Sequence, residues 1–296
     1  MKKTWAQSGR HEKRAKRTSA LFLAPSFLGV MAFFVLPFIV VIVYSLVDNP
    51  INMEFNGLDN FIRVMKNAAF KKAVSNTLKF SVIAVPLAVA LSLMLAVVLE
   101  WKIPFKSQFR TFFLSPMMVP VASVVLIWQV LFHYNGAVNE WLGAFGFDKI
   151  DWLKSSKAYI VVVVLFLWKN LGYNMILFMA ALSNIPEDLI EVARLEHANK
   201  WQIFYHIKLR YMSSTILFVT IMSLINSFKV FREIYLLTGD YPVDTIYMLQ
   251  HYMNNMFAKL DYQNLSAAAV LMSLFMIVII GILFMVENHF GKDVEG

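Results

Sequence analysis

The feature that most constrains this chain is the recurrence of apolar stretches of about 20 residues, the length that crosses the hydrocarbon of a bilayer as a helix. Of the 296 residues, 59% are hydrophobic and 16% are charged. The stretches cover residues 20–47, 80–99, 111–132, 158–182, 212–228 and 265–286. Because backbone polar groups must be bonded internally in lipid, the sequence predicts an all-α polytopic membrane protein with about six transmembrane helices.

The distribution of basic residues predicts the orientation of these spans. Residues 1–19 carry seven Lys or Arg and one acid, a pattern typical of a cytoplasmic N-terminus. The apolar stretch that follows is longer than the core of a cleaved signal peptide, about 7–15 residues. With six spans, the segments on the N-terminal side hold 15 Lys and Arg, against 11 in the opposite loops. We expect both termini in the cytoplasm.

This orientation divides the chain into four parts. We expect a basic cytoplasmic tail at 1–19, a first transmembrane helix with an external loop at 20–73, and a cytoplasmic tail at 287–296. Residues 74–286 are expected to form a core of five transmembrane helices. The cell membrane is the predicted location.

Motifs for enzymatic chemistry are missing from the sequence. It contains no cysteine, no phosphate-binding loop of the form G-x-x-x-x-G-K-[ST] and no H-E-x-x-H metal signature. The six histidines are scattered, and without ligand spacing a lone histidine is usually an ordinary polar residue. We therefore expect no enzyme activity, no cofactor and no metal site, and a membrane enzyme has no motif in its favour.

The longest polar stretch that retains helical character is residues 185–209. Pro186 suits the first position of a helix, and the acids Glu187 and Asp188 follow where the helix dipole favours negative charge. Asn199, with Gln202 three residues later, indicates a second helix start of the capping-box type. The sequence predicts two short helices joined near residues 197–199.

Polar residues also lie within the fourth and fifth predicted spans. They include Lys169, Asn170, Asn174, Ser223, Asn226 and Ser227. Such groups are costly in a membrane and either bond between helices or face a cavity. Gly172 would permit a close backbone approach, and the ring of Tyr173 could stack on a sugar. Both interpretations, interhelical bonding and a polar pathway, stay open at this point.

The polar stretch resembles the cytoplasmic EAA loop of ABC importer permeases, whose usual form is E-A-A-x-x-D-G-A followed by an I-x-L-P ending. The matching positions are Glu191, Val192, Ala193, Glu196, His197, Ala198, Ile207, Leu209 and Arg210. Residues 21–25 (LFLAP), 168–172 (WKNLG) and 231–242 (FREIYLLTGDYP) are similar to the maltose-permease-like branch that imports carbohydrates. The resemblance covers nearly the whole chain.

This resemblance implies a division of labour. A solute-binding protein would deliver a sugar or oligosaccharide outside the membrane. Two different permease subunits would form the pathway, and two copies of a cytoplasmic ATPase would dock on the helix pair within residues 185–210. The implied ATPase-coupling residues are Glu191, Val192, Ala193, Glu196, His197, Ala198 and Trp201. The implied pathway residues, together with Lys169, are Leu171, Gly172, Tyr173, Ser223, Asn226, Ser227 and Val230.

Two departures from the family pattern change what we expect locally. His197 stands where the family usually has Gly at the bend, so a left-handed backbone there would carry a side chain. Arg210 stands where the family has Pro, so we expect a more helical exit into the fifth span. The changes at Val192 and Glu196 are mild. Trp201 and Phe204 could pack either on the ATPase or on the chain's own spans.

Other functions remain open from the residues alone. Lys169 near the pathway would suit an anionic solute, so a permease for a polyol phosphate, a peptide or an amino acid is the main alternative. A stand-alone channel or a secondary transporter would need no ATPase. The sequence has no convincing internal repeat of the kind that inverted-repeat transporters show.

Overall fold

The computed structural model describes residues 19, 21–101 and 104–290. Most of the predicted N-terminal tail, and residues 291–296 of the predicted C-terminal tail, lie outside the described residues. The described part is almost entirely helical, and its only extended pairing is an isolated bridge between Val47 and Phe55. The prediction of an all-α fold is confirmed.

The described residues form thirteen helices, numbered here in chain order. They are α1 Leu21–Ser45, α2 Asp59–Lys66, α3 Ala68–Glu100, α4 Lys106–Met118, α5 Val121–Leu131, α6 Ala137–Ala144, α7 Ala158–Ser183, α8 Glu187–Leu195, α9 residues 200–211, α10 Ser213–Phe228, α11 Phe231–Thr238, α12 Leu249–Ala258 and α13 Tyr262–Phe290. A 3-10 turn, Asp244–Ile246, precedes α12.

Five described helical segments are long and apolar enough to cross a membrane, and a sixth span results if one bent pair is counted as a single crossing. The prediction of about six transmembrane helices is confirmed. The π-helical turn Met31–Val35 lies within α1, directly before the turn that contains Pro37. Because proline lacks the amide hydrogen of an α-helical bond, a local wide turn accommodates it, and α1 continues to Ser45.

The third predicted span, 111–132, is wrong as a continuous helix. It consists of α4 and α5, which meet at an angle of 100° around Val119 and Pro120. Val119 is extended, with φ −86° and ψ 133°. The ring of Pro120 disfavours a helical conformation for the residue before it, which is the physical reason for the break.

The predicted loops were also too long, because each of them contains helices. The predicted loop 229–264 contains α11 and α12, and α10 with α11 forms one span-length segment, Ser213–Thr238. The predicted loops 48–79 and 133–157 contain α2, the start of α3 and α6. Their polar residues lie on short helices or at helix ends, where apolar runs are too brief to indicate a helix.

The chain divides into two compact units. Met1–Val64 and Leu260–Met272 form the first unit, in which the amide of Asn60 donates to the carbonyls of Ser45 and Val47 at 3.1 and 2.8 Å. Met65–Lys259 and Ser273–Gly296 form the second unit. All predicted site residues belong to the second unit.

An apolar cluster in the second unit positions the polar helix pair α8–α9. Small and large apolar residues of α3 and α7 interlock there, since small side chains let helices approach closely. The cluster's buried members are Ala96, Leu99, Met175, Phe178, Met179, Leu182, Ile185, Met212 and Val219. Ile190 of α8 and Ile207 of α9 pack against it, so the helix pair is attached to the spans by one apolar edge.

Candidate docking surface and polar pathway

Helix α8 begins and ends with residues suited to those positions. Glu187 and Asp188 occupy the first turn and Arg194 the last, in agreement with the helix dipole. Pro186 is the residue before the helix rather than its first position, with an extended ψ of 129°. This corrects the predicted boundary by one residue.

The bend between α8 and α9 lies where the sequence predicts it. His197 adopts a left-handed φ of 62°. Its N–H donates to Arg194 O at 3.0 Å, and the N–H of Ala198 donates to Ala193 O at 2.9 Å. These two bonds form a Schellman motif, whose left-handed position usually holds glycine. His197 thus occupies the position where the family has Gly, in the backbone conformation that favours Gly.

The start of α9 is a capping box, as predicted. The N–H of Gln202 donates to Asn199 Oδ1 at 2.9 Å, and the N–H of Asn199 donates to Gln202 Oε1 at 2.8 Å. A π-helical turn, Phe204–Lys208, follows within α9, and Leu209–Tyr211 continues the helix to Met212. The expectation of a helical exit at Arg210 is confirmed.

Several large apolar side chains of the helix pair are exposed among its polar residues. Val192 is 57% exposed, and Leu195 and Trp201 are each 78% exposed. We call Leu189, Val192, Leu195, Trp201 and Tyr205 the docking surface. Groups of large apolar side chains left exposed on a protein mark interaction sites. Trp201 is therefore available to a partner and does not pack on the chain's own spans.

The predicted coupling residues lie on α8, on α9 or in the bend between them. Glu191, Val192, Glu196, His197 and Trp201 are exposed, whereas Ala193 and Ala198 are half-buried. Sequence reasoning missed the exposed Leu195 and Tyr205. Their signal was their spacing, because Leu195 follows Val192 by three positions and Tyr205 follows Trp201 by four, which places each pair on one helix face.

An ion pair that the sequence did not predict connects α9 to α3. Lys208 Nζ lies 2.6 Å from both carboxylate oxygens of Glu100. The side chain of Lys208 is 16% exposed and that of Glu100 is 34% exposed. Glu100 is the last residue of α3, so the pair joins the docking helix to the end of a transmembrane helix.

Between α3, α7 and α10–α11, polar side chains are bonded to one another in pairs. Asn174 Nδ2 donates to Ser223 Oγ at 2.9 Å, and Asn226 Nδ2 donates to Asn170 Oδ1 at 2.9 Å. A third bond joins the hydroxyls of Ser81 and Ser227 at 2.7 Å. These pairs, together with the ion pair described next, are called the polar ladder.

Lys169 forms an ion pair with Glu233 of α11. Both side chains are largely buried, and Glu233 Oε2 has no hydrogen-bond partner among the described residues. Because its charge is compensated, Lys169 gives no argument for an anionic solute. Sequence reasoning missed Glu233, since residue 233 was assigned to a loop; an acid in a span-length segment would have been the signal.

Only part of the predicted pathway is accessible. Gly172 packs on α4, where an added Cβ would overlap the carbonyl oxygen of Phe113. Ser223, Ser227 and Val230 are buried within the subunit. In this conformation these four residues face neighbouring helices rather than an open pathway. Lys169, Leu171, Tyr173 and Asn226 are half-buried, and a solute-contacting role stays a prediction for all of them.

Metal-binding geometry is missing from the described residues, which contain no group of three or more His, Cys, Asp or Glu that could hold an ion. The polar bonds described above hold helices together. The docking surface, in contrast, consists of apolar side chains that are exposed. The exposed apolar side chains of the docking surface suit a protein partner.

The chain is similar to known membrane transport proteins. Residues 88–295 match the model of the family described as "Binding-protein-dependent transport system inner membrane component". The chain is 28% identical over 243 residues to the lactose transport system permease protein LacF of Rhizobium radiobacter, covering 80% of this chain and 82% of that protein. It is also 28% identical over 278 residues to the sn-glycerol-3-phosphate transport system permease protein UgpA of Escherichia coli, covering 92% and 94%.

The fold is likewise similar to a solved structure. That structure is a crystal structure of a bacterial ABC transporter involved in the import of the acidic polysaccharide alginate. The TM-score is 0.78 at 21% sequence identity, and the match covers 97% of this chain and 100% of that chain.

Proposed function

The chain belongs to the family of binding-protein-dependent transport system inner membrane components, and we propose that the solute it carries is a sugar or an oligosaccharide. It is a membrane-spanning permease subunit of an ATP-binding-cassette importer and not an enzyme. LacF is a lactose permease, and the structurally similar transporter imports a polysaccharide. These similarities and the carbohydrate-type sequence runs support a sugar.

The proposed assembly contains four further components. They are a second, different permease subunit, two copies of a cytoplasmic ATPase and an extracytoplasmic solute-binding protein. The excess of Lys and Arg in the N-terminal tail supports a cytoplasmic position for both termini. This orientation puts α8 and α9 on the ATPase side, as their resemblance to the EAA loop requires.

The docking surface is the observation that carries the proposed contact with the ATPase. Trp201 and Leu195 leave most of their area exposed at the loop where the family binds its ATPase. Buried aromatic anchors dominate the energy of protein interfaces. A cleft of the ATPase that encloses these side chains would remove them from water and give the two short helices a rigid attachment.

The test is co-purification of the tagged permease with its ATPase from cells that express the whole transporter. We expect the double variant Val192→Asp, Trp201→Asp to lose the ATPase, because two carboxylates would be buried in the interface. The matched control is Tyr241→Asp, an aromatic residue that is 72% exposed in the loop between α11 and α12. Undiminished ATPase recovery with the double variant would contradict the docking role.

A permease for a polyol phosphate is the second candidate, because UgpA belongs to an sn-glycerol-3-phosphate system and matches most of this chain. The compensated charge of Lys169 does not favour it. Calorimetric titration of the cognate solute-binding protein with oligosaccharides and with sn-glycerol-3-phosphate separates the two. Binding of the phosphate alone would overturn the sugar proposal.

A stand-alone channel is tested in liposomes. The permease without its ATPase should show no solute flux, and the complete transporter should show flux only with ATP inside the compartment that holds the ATPase. ATP-independent flux through the isolated chain would contradict an ABC importer.

A further inference from the structure

We propose that the Glu100–Lys208 ion pair is a mechanical link that carries movement of the docked helix α9 into the transmembrane helix α3. The inference rests on the proposed function, because it assigns the pair a task only if an ATPase moves α9. Glu100 and Lys208 are positioning residues in this proposal, since neither contacts the solute or ATP.

The geometry of the pair suits a link. Both oxygens of Glu100 accept from one ammonium group at 2.6 Å. Most exposed ion pairs stabilise a protein by less than about 1 kcal/mol. Here Lys208 is largely buried and Glu100 is partly shielded, so water and salt screen the attraction less than at an open surface.

The covalent path explains why α3 needs such a link. Helix α8 is connected to α7 through residues 184–186, and α9 continues into α10 at Met212. A displacement of the helix pair therefore acts on both spans directly through the chain. Helix α3 is not joined to the helix pair by an adjacent stretch of chain, and its contacts with α8 and α9 include apolar packing and the ion pair.

Apolar packing alone would not fix the relation between α3 and α9. Leu99 of α3 belongs to the cluster against which Ile190 and Ile207 pack, but hydrophobic contact is non-directional and allows sliding. A charge pair adds an attraction between two particular side chains, so it opposes such sliding. It joins the π-helical turn of α9 to the end of α3, and π-helical turns are frequent at functional sites.

Helix α3 can pass the movement on. It has 33 residues, which corresponds to about 50 Å at 1.5 Å per residue. Its segment from Pro86 to Glu100 packs through Ala96 and Leu99 on Met175 and Phe178 of α7. Movement at Glu100 would thus shift the surface against which α7 packs.

The first experiment measures solute transported per ATP hydrolysed by the complete transporter in proteoliposomes. We expect Glu100→Lys and Lys208→Glu each to lower this ratio about 5-fold or more, the lower range of typical coupling energies. Glu100→Gln and Lys208→Met are milder versions that avoid a buried like-charge contact. The double variant Glu100→Lys, Lys208→Glu should restore the ratio, because it reverses the pair without removing it.

The matched control is the ion pair Lys72–Asp244, which involves the other end of the same helix α3. Its side chains are 43% and 83% exposed. Reversal of either charge there should leave the ratio unchanged. An unchanged ratio in all four single variants at residues 100 and 208, or a double variant as poor as the single variants, would overturn the link.

Assembly separates this inference from the proposed function. All variants at residues 100 and 208 should recover the ATPase as the parent does, because neither residue belongs to the docking surface. If Val192→Asp, Trp201→Asp also keeps the ATPase, the docking proposal fails first. If assembly is intact and coupling is lost only at residues 100 and 208, the link stands.

The second experiment uses the absence of cysteine from the chain. The variant Glu100→Cys, Lys208→Cys is joined by a short bifunctional thiol reagent with a cleavable disulfide. A link that persists through the cycle should tolerate the tether, so the tethered transporter should couple better than the untethered variant. Loss of transport on tethering, reversed by reduction, would show that α3 and α9 must separate and would overturn the proposal.

Discussion

The docking surface exposes apolar side chains and the polar ladder buries polar ones, so both differ from the usual distribution in a soluble domain. At the docking surface, apolar side chains such as Leu195 and Trp201 stand in the open. In the polar ladder, amides, hydroxyls and the Lys169–Glu233 pair are enclosed between apolar helices. Soluble domains mostly bury the first kind of side chain and expose the second.

The two regions are suited to different surroundings. An exposed apolar surface on a polar helix pair is completed by another protein. Polar groups within spans have neither water nor lipid to bond with, so they bond to one another. A mutation in the ladder should therefore act on folding, and a mutation on the docking surface should act on assembly.

The largest effect is expected from Lys169→Met. It leaves Glu233 buried without its partner, and breaking a buried pair costs about 3–5 kcal/mol. Unfolding of the purified subunit in detergent, followed by tryptophan fluorescence during SDS titration, measures the loss. The double variant Lys169→Met, Glu233→Leu should recover most of it. Lys72→Met, which removes an exposed pair, should change stability by less than about 0.5 kcal/mol.

His251 extends the comparison to a buried polar group on α12, the helix that follows the fifth span in the chain. Its side chain is 0% exposed, and burial lowers the pKa of its imidazole to about 4 from 6.5. Nδ1 accepts from the N–H of Met248 at 3.2 Å, and Nε2 has no partner among the described residues.

Protonation should therefore favour the unfolded state of this region. Between pH 6.5 and 4 the unfolded chain binds a proton that the folded chain does not, so stability should fall as pH decreases. The slope is about 1.4 kcal/mol per pH unit. SDS titrations at pH 7.5 and pH 5 measure it. His251→Gln should flatten the slope, and His206→Gln, at an exposed site, should keep it. If His251→Gln leaves the slope unchanged, the pH dependence of stability comes from another group.

On the docking surface, Leu195→Ala together with Trp201→Ala should weaken ATPase binding without affecting folding. Interface anchors cost about 2 kcal/mol or more when truncated, which corresponds to about 30-fold in affinity. Stability in SDS titration should stay within about 0.5 kcal/mol of the parent. A large loss of stability with unchanged affinity would reverse the assignment of this surface.

The smallest effect is expected at the bend between the helices. His197 has a left-handed φ of 62°, a conformation that costs a residue with Cβ about 1 kcal/mol. His197→Gly should relieve this strain and raise stability by up to about that amount. ATPase recovery should be unchanged, since the Schellman motif is kept. Reduced ATPase recovery would instead show that the imidazole itself contacts the partner.

Local patterns in the sequence predicted much of the candidate site. The capping box at Asn199 and Gln202 and the bend at His197 depend on a few neighbouring residues, and both were predictable. The break between α4 and α5 was missed even though Pro120 marks it. Prolines are tolerated within some membrane helices, as Pro86 is within α3, so proline alone does not decide between a bend and a break.

The pattern of apolar and polar residues is enough to predict that this chain crosses a membrane several times and has a polar helix pair between its fourth and fifth spans. Apolar length and residue spacing are local quantities, and lipid leaves a helix few alternatives. Only the tertiary structure decided that Lys169 pairs with Glu233, that Lys208 pairs with Glu100 and that Gly172 packs against α4. Each of these contacts joins residues more than 55 positions apart, and which charge is compensated depends on how the helices pack rather than on the composition of any one of them.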